Sequence, residues 1–120
     1  VSLGFNSAAD VMLADEFKAV GAQVEIATLD GSAGLKGTVA AALPRQTDCD
    51  FFFACGPKAM LKALSASLEI RGEVSLEERM GCGFGACMGC TCQTAGGPRR
   101  ICLEGPVFRK EEIRWNEIPK

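Results

Sequence analysis

Histidine is absent from this 120-residue sequence, and tryptophan occurs once. Without histidine the chain lacks the commonest general base and any mixed Cys/His zinc site. It also lacks an apolar run approaching the roughly 20 residues needed to cross a bilayer. Thirteen basic side chains against 15 acidic ones leave no broad positive field for a nucleic acid. We therefore expect a soluble, cytoplasmic protein that binds neither membranes nor nucleic acids.

Length limits the possible functions further. A chain of 120 residues is long enough for one compact domain with a small appendage, but not for two full catalytic domains. The composition, 48% apolar and 23% charged, is typical of a globular protein with a real core. We expect a part of an oxidoreductase at most, one that is not catalytically complete alone.

Cysteine is the residue type in excess, with seven in the chain and five of them between Cys82 and Cys102. An odd count clustered in this way does not match a secreted disulfide framework. Because histidine is absent, the chemistry must depend on thiolates, backbone groups and bound cofactors. The first expectation is a metal site.

Strand and helix signals alternate through residues 1–78. The helix predicted to run to about Val20 begins with a capping box of Ser7 and Asp10, and Gly21 ends it. The apolar run 51–54 is typical of a strand buried on both faces. Strands are predicted at 2–5, 23–29, 51–54 and 74–76, and helices at 7–20, at 38–43 closed by Pro44, and from Pro57 to Gly72. Val74 and Leu76 alternate with polar residues, as in an exposed final strand.

This order predicts the fold class α/β, with a parallel doubly wound sheet and right-handed crossovers. A nucleotide-binding sheet of this kind normally opens with a Gly-rich turn that holds a pyrophosphate, and no such turn precedes Ser7. The chain also lacks an initiator Met. We therefore expect an incomplete NAD-binding half over residues 1–78, and a small Gly/Cys-rich module over residues 79–120.

The cysteine spacing in the second part is specific. Four residues separate Cys82 from Cys87, two separate Cys87 from Cys90, and Cys102 follows after eleven more. Plant-type ferredoxins use the same four-then-two spacing for a [2Fe-2S] cluster. Glycines interleaved with these cysteines permit positive φ and direct amide N–H groups at sulfur, which offsets the charge of a cluster. We predict that these four cysteines are the metal ligands.

Other interpretations of the cysteines remain open. Structural zinc usually pairs two short Cys-Cys clips, whereas three cysteines share one loop here. A disulfide or a redox-sensing thiol pair fits a cytoplasmic setting poorly. Cys92 is interpreted as a bystander that can exchange roles with Cys90, and Cys49 as a small apolar side chain.

Two segments carry a family resemblance. The run from Ser75 to Cys92 and the run from Arg100 to Phe108 resemble the PyrK-type electron-transfer subunit of NAD-dependent dihydroorotate dehydrogenase. Upstream, Thr28–Ser32 and Ala54–Pro57 are similar to the later half of the NAD-binding domain of ferredoxin-reductase-like flavoproteins. The resemblance covers nearly the whole chain.

The resemblance implies a relay in pyrimidine biosynthesis. NADH reduces FAD, FAD passes electrons to the [2Fe-2S] cluster, and the cluster connects to an FMN-containing catalytic subunit that oxidises dihydroorotate, within a heterotetramer. The FAD-binding barrel of the family is absent from these 120 residues, so FAD and NAD(H) are expected in the full-length protein. Two relatives share the plan: the small subunit of NADH-dependent ferredoxin:NADP oxidoreductase, also called sulfide dehydrogenase, and the gamma subunit of some hydrogenases.

The resemblance also assigns nucleotide contacts. It puts one group where the nicotinamide approaches the flavin, and a second at the end of the neighbouring strand, where it can hydrogen-bond NAD. The first group is Cys55, Gly56 and Pro57, and the second is Asp30, Gly31 and Ser32.

Overall fold

The computed structural model describes residues 1–43 and 49–117. They form two compact units, Val1–Asp48 and Cys49–Lys120, each of mixed α/β structure with small sheets. Pro44, predicted to close a helix, lies outside the described residues. Within the described ranges, no helix has both the length and the apolar character that a bilayer crossing needs.

The first unit is built on a three-stranded parallel sheet of order β1-β2-β3. Its elements are β1 (Ser2–Phe5), α1 (Ala14–Ala19), β2 (Glu25–Thr28) and β3 (Leu35–Lys36), with 3-10 turns at Ala8–Asp10 and Val39–Ala42. Gly4 on β1 lies so close to the second of these turns that a Cβ added there would sit 2.9 Å from the Val39 Cβ. At Gly4, strand β1 therefore packs directly against the Val39–Ala42 turn, with no side chain between them.

The helix predicted from Ser7 to about Val20 is wrong in extent. Its cap forms as predicted, since the Ser7 N–H donates to Asp10 Oδ2 at 3.0 Å, but only the short turn Ala8–Asp10 follows. Leu13 then has a left-handed φ of 62° and is 52% exposed, so α1 starts only at Ala14. Gly21, with φ 84°, follows the end of α1 as predicted.

The second unit combines parallel and antiparallel pairing. Strand β4 (Phe51–Cys55) is parallel to β5 (Arg71–Ser75), and β5 is antiparallel to β8 (Val107–Arg109). The other elements are α2 (Lys58–Ser67), the hairpin β6 (Thr91–Thr94) and β7 (Gly97–Arg100), α3 (Ile101–Glu104) and a 3-10 turn at Lys110–Glu112.

The core of this unit contains residues from before and after position 79. Its buried members are Leu61, Val74, Leu76, Cys90, Cys92, Ile101, Phe108 and Ile113. The cysteine-rich segment therefore shares one core with β5 and α2. The boundary predicted at residue 79 remains a prediction: it would separate the nucleotide-binding part of the chain from the cluster-binding part.

Two burial predictions are corrected. The run 51–54 is not buried on both faces, since Phe53 is 78% exposed while Phe52 packs against the core. Strand β5 is not an exposed final strand, because β8 pairs with its other edge and Val74 is fully buried. The second difference follows from β8, which joins the sheet from about 30 residues further along the chain.

Candidate metal centre

An irregular loop joins β5 to β6 and carries three of the predicted ligands, while α3 carries the fourth. Cys82, Cys87 and Cys90 lie along the loop, and Cys102 lies in α3. Gly83 and Gly85 have φ values of 75° and 90°, which a side chain would strain. The sequence therefore lets the loop bend back on itself.

Cys82 and Cys87 form one pair. The Cys87 N–H donates to Cys82 Sγ at 3.5 Å, and the Gly89 N–H donates to Cys87 Sγ at 3.4 Å. The backbone N–H groups of Cys87 and Phe84 lower the pKa of Cys82 to about 6. Because a thiolate is the form that binds metal, this loop prepares Cys82 as a ligand.

Cys90 and Cys102 form a second pair. The Cys102 N–H donates to Cys90 Sγ at 3.4 Å, and this bond is the main cause that lowers the pKa of Cys90. A second contact, between the Cys102 thiol and the sulfur of Cys90, raises the pKa of Cys102. The two thiols therefore influence each other's pKa in opposite directions.

The two pairs are neighbours. The charge of Cys82 contributes to the raised pKa of Cys102, and the backbone of Gly85 acts in the opposite direction on that pKa. Across the described ranges, no three cysteine or acidic side chains are grouped as a site for a metal ion. The four sulfurs thus stand as two pairs, surrounded by backbone N–H donors.

The remaining cysteines lie outside this arrangement. Cys92 is 2% exposed in the core, and burial raises its pKa, so it is not prepared as a thiolate. Cys49 and Cys55 are exposed, and all seven cysteines are free thiols. In the described contacts it is Cys90, not Cys92, that pairs with Cys102.

The second group of predicted nucleotide contacts, Asp30, Gly31 and Ser32, follows β2. Asp30 Oδ1 accepts hydrogen bonds from the Ser32 N–H at 2.9 Å and from Ser32 Oγ at 2.6 Å. The Ser32 side chain is the main cause that lowers the pKa of Asp30. Ser32 Oγ also accepts the Ala8 N–H at 2.7 Å, so this loop is fixed to the turn after β1. Gly31, with φ 77°, provides the bend.

The first group, Cys55, Gly56 and Pro57, lies at the end of β4. Cys55 ends the strand, Gly56 has φ 149°, and Pro57 immediately precedes α2. The exposed Cys55 thiol lies 3.7 Å from Glu77 Oε1. Predicted contacts thus stand at the carboxyl end of a parallel strand in each unit, where open α/β sheets bind ligands.

Two ion pairs lie beside the cysteines, and the sequence analysis did not identify them. Lys58 at the start of α2 pairs with Glu78 in the cysteine loop, and each side chain is 27% exposed. Arg100 pairs with Glu104, and each is about 30% exposed. Only the four-residue spacing of Arg100 and Glu104 is a signal that could have predicted a pair.

The Lys58–Glu78 pair gives a prediction about pH. Lys58 lowers the pKa of Glu78 from its ordinary 4.5, so the pair stabilises the folded protein fully above pH 4.5 and loses this effect as pH falls through the folded-state pKa. We expect Glu78→Gln to cost about 1 kcal/mol at pH 7 and progressively less in acid. Urea unfolding of wild type and variant from pH 7 to pH 3 measures the difference. A difference that does not change with pH would contradict this role.

Comparison with solved structures defines the class of protein first. The chain is similar to a structure of NADH-dependent reduced ferredoxin-NADP oxidoreductase, solved in a study of flavin-based electron bifurcation, with a TM-score of 0.79 and 33% identity. The match covers 96% of this chain and 44% of that one. The fold is therefore that of a ferredoxin-reductase-like α/β protein.

The family follows from sequence comparison. Residues 77–114 match the iron-sulfur cluster binding domain of dihydroorotate dehydrogenase B. The chain is also similar to the electron transfer subunit of dihydroorotate dehydrogenase B (NAD(+)) from Shouchella clausii, 49% identical over 117 residues, and from Geobacillus thermodenitrificans, 46% identical over 116 residues. Each match covers 92% of this chain and 45% of the relative. These matches confirm the predicted resemblance over the part that the chain spans, which is about half the length of these relatives.

Proposed function

We propose that this chain is the part of an electron-transfer subunit that holds a [2Fe-2S] cluster and passes electrons towards a dihydroorotate dehydrogenase catalytic subunit. The observation that carries the proposal is the arrangement of four cysteine sulfurs in two adjacent pairs, with backbone N–H groups donating to them. When bound, the cluster would supply a one-electron carrier between a two-electron donor and its acceptor.

The donor set fits a two-iron cluster better than a single zinc ion. One tetrahedral zinc requires its thiolates at about 2.3 Å from a single point, whereas the hydrogen bonds here join the cysteines in two pairs. A [2Fe-2S] cluster instead offers two metal atoms, each of which takes two thiolates. Cys82 with Cys87, and Cys90 with Cys102, would serve one iron each.

The parallel pairing within each unit supports a finer assignment of residues 1–78 as an incomplete doubly wound NAD-binding half. Strands β1, β2 and β3 are parallel to one another, and β4 is parallel to β5 through α2, as such a sheet requires. We assign nucleotide binding to residues 1–78 and cluster binding to residues 79–120. In the complete protein NAD(H) would contact Asp30, Gly31 and Ser32 and also Cys55, Gly56 and Pro57, with FAD as its electron acceptor.

The proposed partner is inferred from the related subunits. The related subunits are named as parts of dihydroorotate dehydrogenase B, so the partner would be its FMN-containing catalytic subunit, in a heterotetramer that serves pyrimidine biosynthesis. Seven free thiols favour a reducing compartment, and we place the protein in the cytoplasm.

Anaerobic purification of the complete protein tests the cluster. We expect about two irons and two acid-labile sulfides per chain, visible absorption, and an EPR signal that appears on one-electron reduction. Bound zinc without sulfide, in a colourless protein that cannot be reconstituted with iron, would reject the proposal in favour of a zinc-stabilised binding module.

A second candidate is the small subunit of an NADH-dependent ferredoxin:NADP oxidoreductase. The similarity to that solved structure, at 33% identity, favours it, and the same cluster would serve either complex. The hydrogenase gamma subunit shares the same plan. The catalytic subunit that co-purifies with the complete protein separates these possibilities, since only a dihydroorotate dehydrogenase gives dihydroorotate-dependent reduction of NAD.

A further inference from the structure

Strand β4 has one packed side and one open side. Phe52 and Ala54 pack against the buried core of the second unit. Phe51, Phe53 and Cys55 alternate with them along the strand and are exposed. Phe53 is 78% exposed, and its ring centroid lies 5.0 Å from that of Phe51. The open side of this strand therefore carries an aromatic pair that the described residues leave largely uncovered.

The same open side continues across the sheet. Residues directly opposite each other on paired strands point to the same side, so the strand register identifies the neighbours of the aromatic pair. They are Arg71, Glu73, Ser75, Val107 and Arg109. None of these five residues is buried, whereas Val74 and Phe108, on the other side of the sheet, are 0% and 4% exposed. Together with Phe51, Phe53 and Cys55, the five residues form what we call the open face.

The outer edge of β4 is open as well. Strand β4 is the last strand in the order β4-β5-β8, and in residues 1–43 and 49–117 no strand pairs with its other edge. Edge strands of soluble proteins usually carry a charge, a proline or a bulge that prevents further pairing. The segment Phe51–Cys55 has no charge and no proline, and its register with β5 is unbroken. The uncovered face and the unprotected edge thus meet at one strand, as expected for a strand in the interior of a larger structure.

The covering layer is expected to come from the same subunit. Parallel strands normally have both faces of their sheet covered within one domain. Strands β4 and β5 are parallel, and α2 between them contributes Leu61 to the core on the packed side only. The matches to the subunits from Shouchella clausii and Geobacillus thermodenitrificans cover 45% of each relative. A complete subunit of that length would have more than half of its residues outside this chain, which is ample for a covering layer.

We propose that the open face and the outer edge of β4 form an interface inside the complete subunit, covered by the part of that subunit that lies outside these 120 residues. Phe51 and Phe53 would be its apolar centre, with the charged residues of β5 and β8 around them. The apolar run 51–54 would then be buried on both faces. This interface is distinct from the exposed cysteine loop around Phe84, which would face the catalytic subunit. It requires no cluster, so it does not depend on the proposed function.

Hydroxyl-radical footprinting of the complete subunit, purified without its partner, tests the proposal. Oxidation of each phenylalanine is measured by peptide mass spectrometry and compared with its rate in the urea-unfolded protein. We expect Phe53 to react roughly tenfold more slowly in the folded subunit, because a covered ring reacts only when the structure opens locally. Phe84, which is 70% exposed in this chain, should remain reactive until the catalytic subunit is added.

Thiol labelling gives a second measurement. Phe53→Cys and Ala63→Cys are prepared in the complete subunit and treated with N-ethylmaleimide. Ala63 is the matched control, since it is exposed on α2, on the side of the sheet that is already covered. Labelling of Phe53→Cys should be roughly tenfold slower than labelling of Ala63→Cys. Footprinting needs no substitution, so it decides the question even if Phe53→Cys does not fold.

Three results would overturn the proposal. Protection of Phe53 only after the catalytic subunit is added would assign the open face to that partner. Protection that increases with the concentration of the subunit alone would assign it to a second copy. Reactivity equal to that of the unfolded protein under all conditions would make it free surface. Absence of a [2Fe-2S] signal would overturn the proposed function but would not change the expected footprint, so the two failures are distinguishable.

Discussion

Replacement of Cys87 by serine is expected to remove the cluster from the complete protein. Cys87 has two roles in the loop: its Sγ accepts the Gly89 N–H at 3.4 Å, and its own N–H donates to Cys82 Sγ at 3.5 Å. A serine keeps the backbone donor but replaces the soft thiolate, which iron-sulfur clusters require. Iron and acid-labile sulfide should fall from about two each per chain to almost none, with loss of the visible absorption.

Other cysteines serve as matched controls. Cys49→Ser changes an exposed thiol outside the loop, so iron content and colour should remain. Cys90→Ser should lose the cluster, whereas Cys92→Ser should keep it, because only Cys90 receives the Cys102 N–H. Equal iron content in Cys87→Ser and Cys49→Ser would overturn the ligand assignment. Loss from Cys92→Ser but not from Cys90→Ser would exchange the roles of these two.

Elements with strong local signals were predicted from the sequence. The first strand and the strand before Asp30 appear close to their expected positions, and the helix after Pro57 begins as expected but ends at Ser67, before Gly72, which lies in β5. Apolar periodicity and a helix-starting proline are local signals, so they act in the same way whatever the rest of the chain does.

Elements that depend on distant partners were not predictable. The helix predicted over residues 7–20 is interrupted at Leu13, and Leu13 and Val20 are 52% and 80% exposed. The central position of β5 depends on β8, and the hairpin of β6 and β7 lies in the segment for which only a Gly/Cys-rich module was predicted. Ala95 and Gly96 between two short strands were the available turn signal.

The candidate site likewise contains residues that the sequence predicts and residues that it does not. Spacing alone predicted Cys82, Cys87, Cys90 and Cys102, because a four-then-two pattern is specific to one loop geometry. Cysteine spacing could not predict the contact of Arg100 with the loop. Its guanidinium donates to a backbone carbonyl, and every residue has one. Contacts of a side chain with a distant main chain leave no sequence pattern.

Lysine substitutions in the cysteine loop are expected to weaken assembly with the catalytic subunit. Phe84 is 70% exposed and Met88 is 50% exposed, and both lie between predicted ligands. An electron carrier must approach its acceptor closely, so the face around the cluster is the face that would meet the partner, and exposed aromatic and Met side chains are typical of interface centres. A buried lysine charge there should cost about 2 kcal/mol or more, which weakens binding roughly thirtyfold.

Gel filtration and titration of the two subunits measure this loss for Phe84→Lys and Met88→Lys, each with its cluster content checked. Met12→Lys is the matched control, since Met12 is 64% exposed in the first unit and far along the chain from the cysteines. It should assemble like the wild type. Normal assembly by both loop variants would place the docking face elsewhere, and equal weakening by Met12→Lys would indicate a general effect of added charge. Weakening by the loop variants alone, with the cluster intact, would identify the cysteine loop as the contact through which electrons leave this chain.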